Sequence, residues 1–214
     1  MSSNNQDYLI GYGSLLSHDS RSRFSNVICP NIPVVVQGWR REWLARGLAE
    51  FQTGLGVSQV ELAYLNAVLL PIEQISDALR QREQDYQFIQ VDHTAVSAAQ
   101  ASPIALAELA KISADPVHKK IWICANLHKH QANIDYPIYQ TYLDTCLVGC
   151  FDSNIDGFAV EFIQNTHFWQ HGWINDRHQA KYPRAAEVSQ QQYERIDELL
   201  DRYHVLAYRQ EITR

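Results

Sequence analysis

Apolar runs of strand length recur along this chain without a helix regularly placed between each pair, and that irregular alternation limits the fold more than any single motif. Residues 7–16 read as a first strand, followed by a helical turn at Arg21 to Phe24. Ile32 to Val36 leads through Gly38 into Trp39 to Trp43, a second strand whose glycine marks a bulge or bend. Leu62 to Pro71, Tyr86 to Val91 and Lys120 to Asn126 supply further strands, and Phe158 to Phe162 reads as a short one. Helical spacing is confined to Ile72 to Glu83, Ile104 to Ile112, Pro137 to Phe151 with its proline in the first turn, and Gln190 to Tyr203. Without strict βαβ order a doubly wound parallel sheet is disfavoured, so the expected class is α+β with a curled, mixed sheet.

The chain has 214 residues, 46% of them hydrophobic, enough to bury one substantial core. A single domain over 1–214 is expected, with residues 1–6 disordered and 155–214 forming a C-terminal extension packed on the core. The stretch 94–119, rich in Ala and Ser and carrying Pro103 and Pro116, is expected to be mobile around its helix. Met1 to Asp7 is polar and lacks the basic and apolar regions of a signal peptide, and no apolar run reaches the roughly 20 residues of a membrane span. These features predict a cytoplasmic protein.

A net charge of −6 offers no basic cluster to offset phosphate repulsion, so neither nucleic acid nor an anionic membrane is the expected partner. A small polar molecule fits better. Cys29, Cys124, Cys146 and Cys150 show no CxxC spacing and read as free thiols in a reducing compartment. His128 and His130 sit at i, i+2; His167 and His171 sit at i, i+4, which would place both imidazoles on one helix face. No acidic residue of the HExxH kind lies between the second pair, so surface histidines are the reading and no metal is expected.

The first apolar run, Tyr8-Leu9-Ile10-Gly11-Tyr12-Gly13-Ser14-Leu15-Leu16, stops in glycines that leave backbone N–H groups bare. Such groups suit an oxygen-rich ligand. Chemistry also needs an acid or base, and Glu83 stands where the Ile72–Glu83 helix gives way to the Tyr86 strand, a junction that aims side chains into clefts. By residue type alone Glu83 reads instead as a solvated helix-end charge beside Arg82.

Tyr12-Gly13-Ser14-Leu15 after an apolar strand, then Arg82-Glu83-x-x-Tyr86 closing a short helix, resembles the γ-glutamylcyclotransferase superfamily. A third element is similar: Tyr142-Leu143 on the Pro137 helix, with Gly149 following. The resemblance covers residues 7–153. It implies a small, mixed, barrel-like β-sheet with flanking helices, and a cofactor-independent enzyme that cyclises a γ-glutamyl amide or peptide to 5-oxoproline. It further implies Glu83 as general acid/base, with Tyr12, Gly13, Ser14, Leu15 and Tyr142 binding substrate. The segment Trp173 to Arg177 through Tyr182-Pro183-Arg184 departs from compact members of that family.

The implied chemistry has physical requirements that these residue types meet. A base must remove a proton from the α-amine before its nitrogen attacks the γ-carbonyl, and the same group can then protonate the departing amine. One carboxylate serves for both transfers if burial brings its pKa toward neutrality. The Gly13–Leu15 turn can hold either the oxyanion or the substrate's α-carboxylate, and the sequence does not separate the two roles. Tyr12 and Tyr142 are as readily core residues as site residues. Ser14 lacks the second glycine of a GxSxG elbow, so it is not read as a nucleophile. Asp176, Arg177 and Arg184 form either a charged rim that clamps a carboxylate or structural ion pairs. A non-catalytic small-ligand-binding protein of the same fold is the competing reading.

Overall fold

The computed structural model describes residues 6–73 and 75–211. The expectation for residues 1–6 therefore falls, except for Gln6, outside the described residues.

The sheet grows from one short strand between long ones. β1 (Asp7–Gly11) is buried through Tyr8, Leu9 and Ile10, as its continuous apolar run requires. It pairs antiparallel with β3 (Gln52–Ile72) on one side and parallel with β6 (Ile121–Asn126) on the other. β2 (Ile32–Gly47) runs antiparallel to β3, and β4 (Tyr86–Val91) runs antiparallel to β6. The short β5 (Val96–Ala98) adds to the edge of β2, giving the order β4-β6-β1-β3-β2-β5.

Strands of 16 and 21 residues are too long to stay flat. Their register shifts between Gln37 and Trp39, around Gly38 with φ 79°, and again between Glu42 and Ala45. Extra residues at those points increase local twist and bend the β2–β3 ribbon, so the sheet curls into an open barrel. Trp43, with no solvent exposure, fills the concave side between Tyr142 and Trp169.

The helices lie around this sheet. α1 (His18–Ser25) follows the first turn and is capped by the Ser17 hydroxyl, which accepts from the Ser20 N–H. α2 (Asp77–Arg82) is capped by Ser76 in the same way, and α3 (Pro103–Ala114) starts at its proline. α4 (Gln140–Asp152) is buried at every position from Gln140 to Cys150, because the chain covers it on both sides. Its cover comes from α5 (Phe158–Gln164), from α6 (Gln190–Arg202) and from a small parallel sheet. That sheet joins β7 (Ile138–Tyr139), β9 (Trp173–Asn175) and β10 (Arg209–Glu211), while β8 (Thr166–His167) pairs with β2.

α4 also touches the first turn at backbone distance. A Cβ on Gly149 would lie 2.3 Å from Leu16 C and Ser17 N, so only glycine lets the helix approach this closely. Asn31 spans the same contact, donating to the Leu16 and Gly149 carbonyls.

Several sequence expectations are corrected. The first strand ends at Gly11, and Ser14–Leu16 forms a 3-10 turn. β3 begins at Gln52, ten residues before Leu62, because Gly54 and Gly56 masked its apolar pattern. β3 also runs on to Ile72, so the helix expected from there is only α2. Pro137 does not open α4; its carbonyl accepts from the Thr53 N–H and the next two residues are β7. Phe158 to Phe162 is helical, since Gly157 at φ 73° starts a turn there and the aromatic side chains pack inward at helical spacing. His167 lies in β8 and His171 in a turn, so they share no helix face. Among the described residues, no helix is long and apolar enough to cross a membrane. Cys124, Cys146 and Cys150 are buried free thiols, and Cys29 is a partly buried one.

Candidate active site

A cleft of about 600 Å³, its open mouth included, lies where β1, β3, β6 and α4 converge. Tyr12, Gly13, Ser14, Leu15, Glu83 and Tyr142 all line it, so the fold brings the six residues singled out by the resemblance to one place.

The turn comes first. Gly11 ends β1, and the chain tightens into the 3-10 turn, where the Leu16 N–H donates to the Gly13 carbonyl. No hydrogen bond from the N–H groups of Gly13, Ser14 or Leu15 forms among the described residues, and these residues face the cleft. Arg21, fully buried, holds the outer side by donating to the Leu15, Leu16 and Cys29 carbonyls. A Cβ on Gly13 would stand 2.8 Å from the Tyr142 hydroxyl, so glycine is needed for that hydroxyl to reach the turn.

Glu83 is the C-cap of α2 and leads through a turn into β4. Its side chain is only 11% exposed, which corrects the alternative of a solvated helix-end charge. Burial pushes its carboxyl above the ordinary glutamate range, while Arg82, Arg184 and a hydrogen bond from the Cys124 thiol pull the other way. Arg82 Nε stands 3.5 Å from Glu83 Oε1. The same guanidinium donates to Ser14 Oγ at 2.9 Å and to Ser25 Oγ at 2.6 Å. Arg82 therefore joins the carboxylate, the glycine turn and α1.

Three tyrosines wall the interior. Tyr12 donates its hydroxyl to the Cys124 carbonyl, and Tyr86 donates to the Leu55 carbonyl at 2.8 Å. Both hydroxyl protons are thus spent on backbone. Tyr142 accepts from the Leu55 N–H at 3.3 Å, which leaves its own proton directed elsewhere. Burial holds all three phenols well above the usual tyrosine range, so each stays neutral. Ser14, whose oxygen accepts from Arg82, has no histidine among the described residues of the cleft to activate it.

The segment 173–186 completes the outer wall. Asp176, without solvent exposure, accepts from the Thr141 N–H and hydroxyl and from the Lys181 N–H. The Ala186 N–H donates to Thr145 Oγ1, so this segment is laced along α4. Tyr182 and Arg184 are thereby carried to the cleft, with Tyr182 edge-on to Tyr142 at 4.8 Å between ring centres. Arg184 Nη1 pairs with Glu50 Oε1 at 3.1 Å. The proposed charged rim is accordingly divided. Asp176 is a buried tie and Arg177 pairs with Asp144 and Asp197, whereas Arg184 lines the cleft.

Sequence reasoning missed Glu50, Gln52 and Asp85 as cleft residues, and quoted Arg82, Tyr86 and Tyr182 only within motifs. The Ser-rich α1 opposite Arg82 was a usable signal; the turn that carries Glu50 offered none.

No protein-family model matches the chain, and no curated protein matches it in sequence. Among solved structures it is similar to one described as gamma-glutamyl cyclotransferase, at 9% identity and a TM-score of 0.56, covering 90% of this chain and 99% of that one. A human protein, uncharacterized protein loc79017, matches at 10% identity and a TM-score of 0.54, again over 90% of this chain and 99% of that one. YkqA from Bacillus subtilis matches at 16% identity and a TM-score of 0.51, over 75% of this chain and 54% of that one. At these identities the likeness is one of architecture, and the chain has the γ-glutamylcyclotransferase-like fold.

Proposed function

We propose that this protein is a cytoplasmic, cofactor-independent enzyme that cyclises a small γ-glutamyl amide or peptide to 5-oxoproline and releases the amine. The observation that supports this reading is the placement of the buried Glu83 carboxylate in one cleft with the unpaired N–H groups of the Gly13–Leu15 turn.

The steps follow from those groups. Glu83, as carboxylate, takes one proton from the α-ammonium, and the freed nitrogen attacks the γ-carbonyl carbon. Negative charge then develops on the carbonyl oxygen, where the turn's N–H groups or the Tyr142 hydroxyl can stabilise it. Glu83 returns its proton to the amide nitrogen as the C–N bond breaks. The ring nitrogen sheds its second proton to the released amine or to water. A raised carboxyl pKa suits both transfers, since the group must accept and donate near neutrality. Closing a five-membered ring within one bound molecule is favoured by positioning alone, which the tyrosine walls supply.

Incubation with a panel of γ-glutamyl compounds, following 5-oxoproline, tests the reading. Turnover by wild type that falls about 10³-fold or more in Glu83→Gln is expected for loss of the proposed acid/base. Equal turnover by Glu83→Gln, or none by either protein on any member, overturns it.

A further inference from the structure

The outer corner of the cleft holds two buried polar groups of opposite kind that nothing satisfies. Gln52 is 4% exposed and its Oε1 accepts no hydrogen bond among the described residues. Arg184 spends Nη1 on Glu50, while its buried Nε donates to nothing among the described residues. The three side chains are neighbours: Glu50 Oε2 lies 3.1 Å, and Gln52 Cγ 3.4 Å, from the position that a Gly47 Cβ would occupy. Arg184 is held from the other side, its guanidinium carbon 5.3 Å from the Tyr182 ring centre.

The position of this corner along β3 gives it a meaning. Leu55 lies against Gly13, Gly54 lies beneath Tyr86 and Tyr142, and Gln52 is the next cleft residue outward. At about 3.3 Å per residue Gln52 is about 10 Å along the strand from the glycine turn. A glutamyl unit held between that turn and Glu83 occupies the inner end. What hangs from its γ-carbonyl extends toward Gln52 and Arg184.

We infer that Gln52, Arg184 and Glu50 form the subsite for the leaving amine, and that this subsite selects amines bearing a carboxylate, amino acids or short peptides, over uncharged alkylamines. The inference rests on the cyclotransferase reading. Gln52 Oε1 accepts from the N–H of the scissile amide, which every substrate offers. Arg184, whose Nε has no partner among the described residues, receives the carboxylate, which only an amino acid or peptide provides. Leaving a buried acceptor or guanidinium N–H without a partner costs stability, so the carboxylate-bearing substrate gains by satisfying both.

The test compares γ-glutamyl-glycine with γ-glutamyl-ethylamide, of similar size, through kcat/KM for 5-oxoproline release. Wild type is expected to prefer γ-glutamyl-glycine by about 10-fold or more, the scale of one charge-assisted hydrogen-bonded pair. Arg184→Met, which keeps the stack on Tyr182, removes that preference, and Arg184→Lys restores part of it. Glu50→Gln separates binding from packing: a merely structural pair predicts the same loss as Arg184→Met, whereas a subsite freed of its competing carboxylate predicts a stronger preference for γ-glutamyl-glycine. Equal wild-type kcat/KM on both compounds overturns the inference. So does an equal loss on both in Arg184→Met, which would place Arg184 on the glutamyl half. If no compound yields 5-oxoproline, the cyclotransferase reading fails by itself. Calorimetry with the Glu83→Gln protein then decides the subsite: tighter binding of γ-glutamyl-glycine, lost on adding Arg184→Met, supports it, and equal or absent binding overturns it.

Discussion

Arg82 Nη2 donates to Ser14 Oγ at 2.9 Å, and this contact ties the helix that carries the candidate base to the turn that carries the candidate N–H groups. The arginine is almost wholly buried, and its other donors reach Ser25 Oγ and the Ser20 carbonyl. Removing it affects two properties. Arg82→Met leaves buried partners unsatisfied, with an expected cost of about 1–3 kcal/mol in the denaturant midpoint. It also deletes the cation that does most to hold the Glu83 carboxyl down, so the acidic limb of kcat/KM moves to higher pH. Arg82→Lys keeps the charge and loses the fork, which predicts a lower kcat with a smaller movement of that limb. An arginine that served packing alone would leave the limb in place in both variants.

Glu83 makes a prediction about stability whose sign opposes the usual expectation for a carboxylate. Burial raises its pKa above the unfolded value, so between the two values the folded state binds more protons than the unfolded state. Stability is then lost as pH rises through the ordinary carboxylate range toward the folded pKa. Glu83→Gln, neutral at every pH, is expected to melt above wild type at pH 7, and the difference is expected to shrink as pH falls below the ordinary glutamate range. Thermal melts of both proteins across that window check it. A variant that melts lower at pH 7 would mean that Arg82 and Arg184 stabilise the charged form more than burial disfavours it.

The glycine turn and Glu83, which meet in the cleft, were legible because each sits at a local break: glycines after an apolar run, and a glutamate at the end of a short helix. Elements with uniform periodicity, such as α6 with its Ser189–Gln192 capping box, were legible for the same local reason. What was hidden depends on distant partners. The first ten residues of β3 are spelled with glycines at Gly54 and Gly56, because Tyr142 and Asn126 occupy the space their side chains would fill. α5 was mistaken for a strand because its short run, FAVEF, suits either state until the Arg41 guanidinium, 4.2 Å from the Phe162 ring centre, fixes the inward face. Arg184 was legible only as one member of a charged rim with Asp176 and Arg177, and nothing local set it apart from them. It reaches the cleft only because Asp176 pins the segment to Thr141.

Gly149 predicts how strongly the site depends on α4. An added methyl would stand 2.3 Å from backbone atoms of Leu16 and Ser17, which cannot rotate away. Gly149→Ala is therefore expected to force α4 and the 3-10 turn apart, at a cost of about 1–3 kcal/mol or more. Alanine's better helix propensity offsets this by no more than about 1 kcal/mol. Urea unfolding measures the loss, and 5-oxoproline release should fall alongside it because the Tyr142 hydroxyl no longer meets the turn at Gly13. A variant as stable as wild type would contradict the close approach.

Tyr142 offers the sharpest separation of site from core. Its ring packs against Trp43 at 5.7 Å and Tyr182 at 4.8 Å between centres, contacts that phenylalanine preserves. Among the described residues its hydroxyl accepts only from the Leu55 N–H, at a long 3.3 Å, so Tyr142→Phe removes one weak hydrogen bond, with an expected cost of about 1 kcal/mol in stability. The phenol proton is the part with no protein acceptor among the described residues, and burial keeps it on the oxygen at any physiological pH. A neutral donor standing at the Gly13 turn is suited to the oxygen that becomes negative as the ring closes. Loss of such a donor from a water-poor site lowers kcat by about 10²-fold while KM changes little, because the interaction strengthens only in the transition state. A fall confined to KM would instead place the hydroxyl on the ground-state substrate. No change in either parameter would return Tyr142 to the core, where its aromatic neighbours alone would account for it.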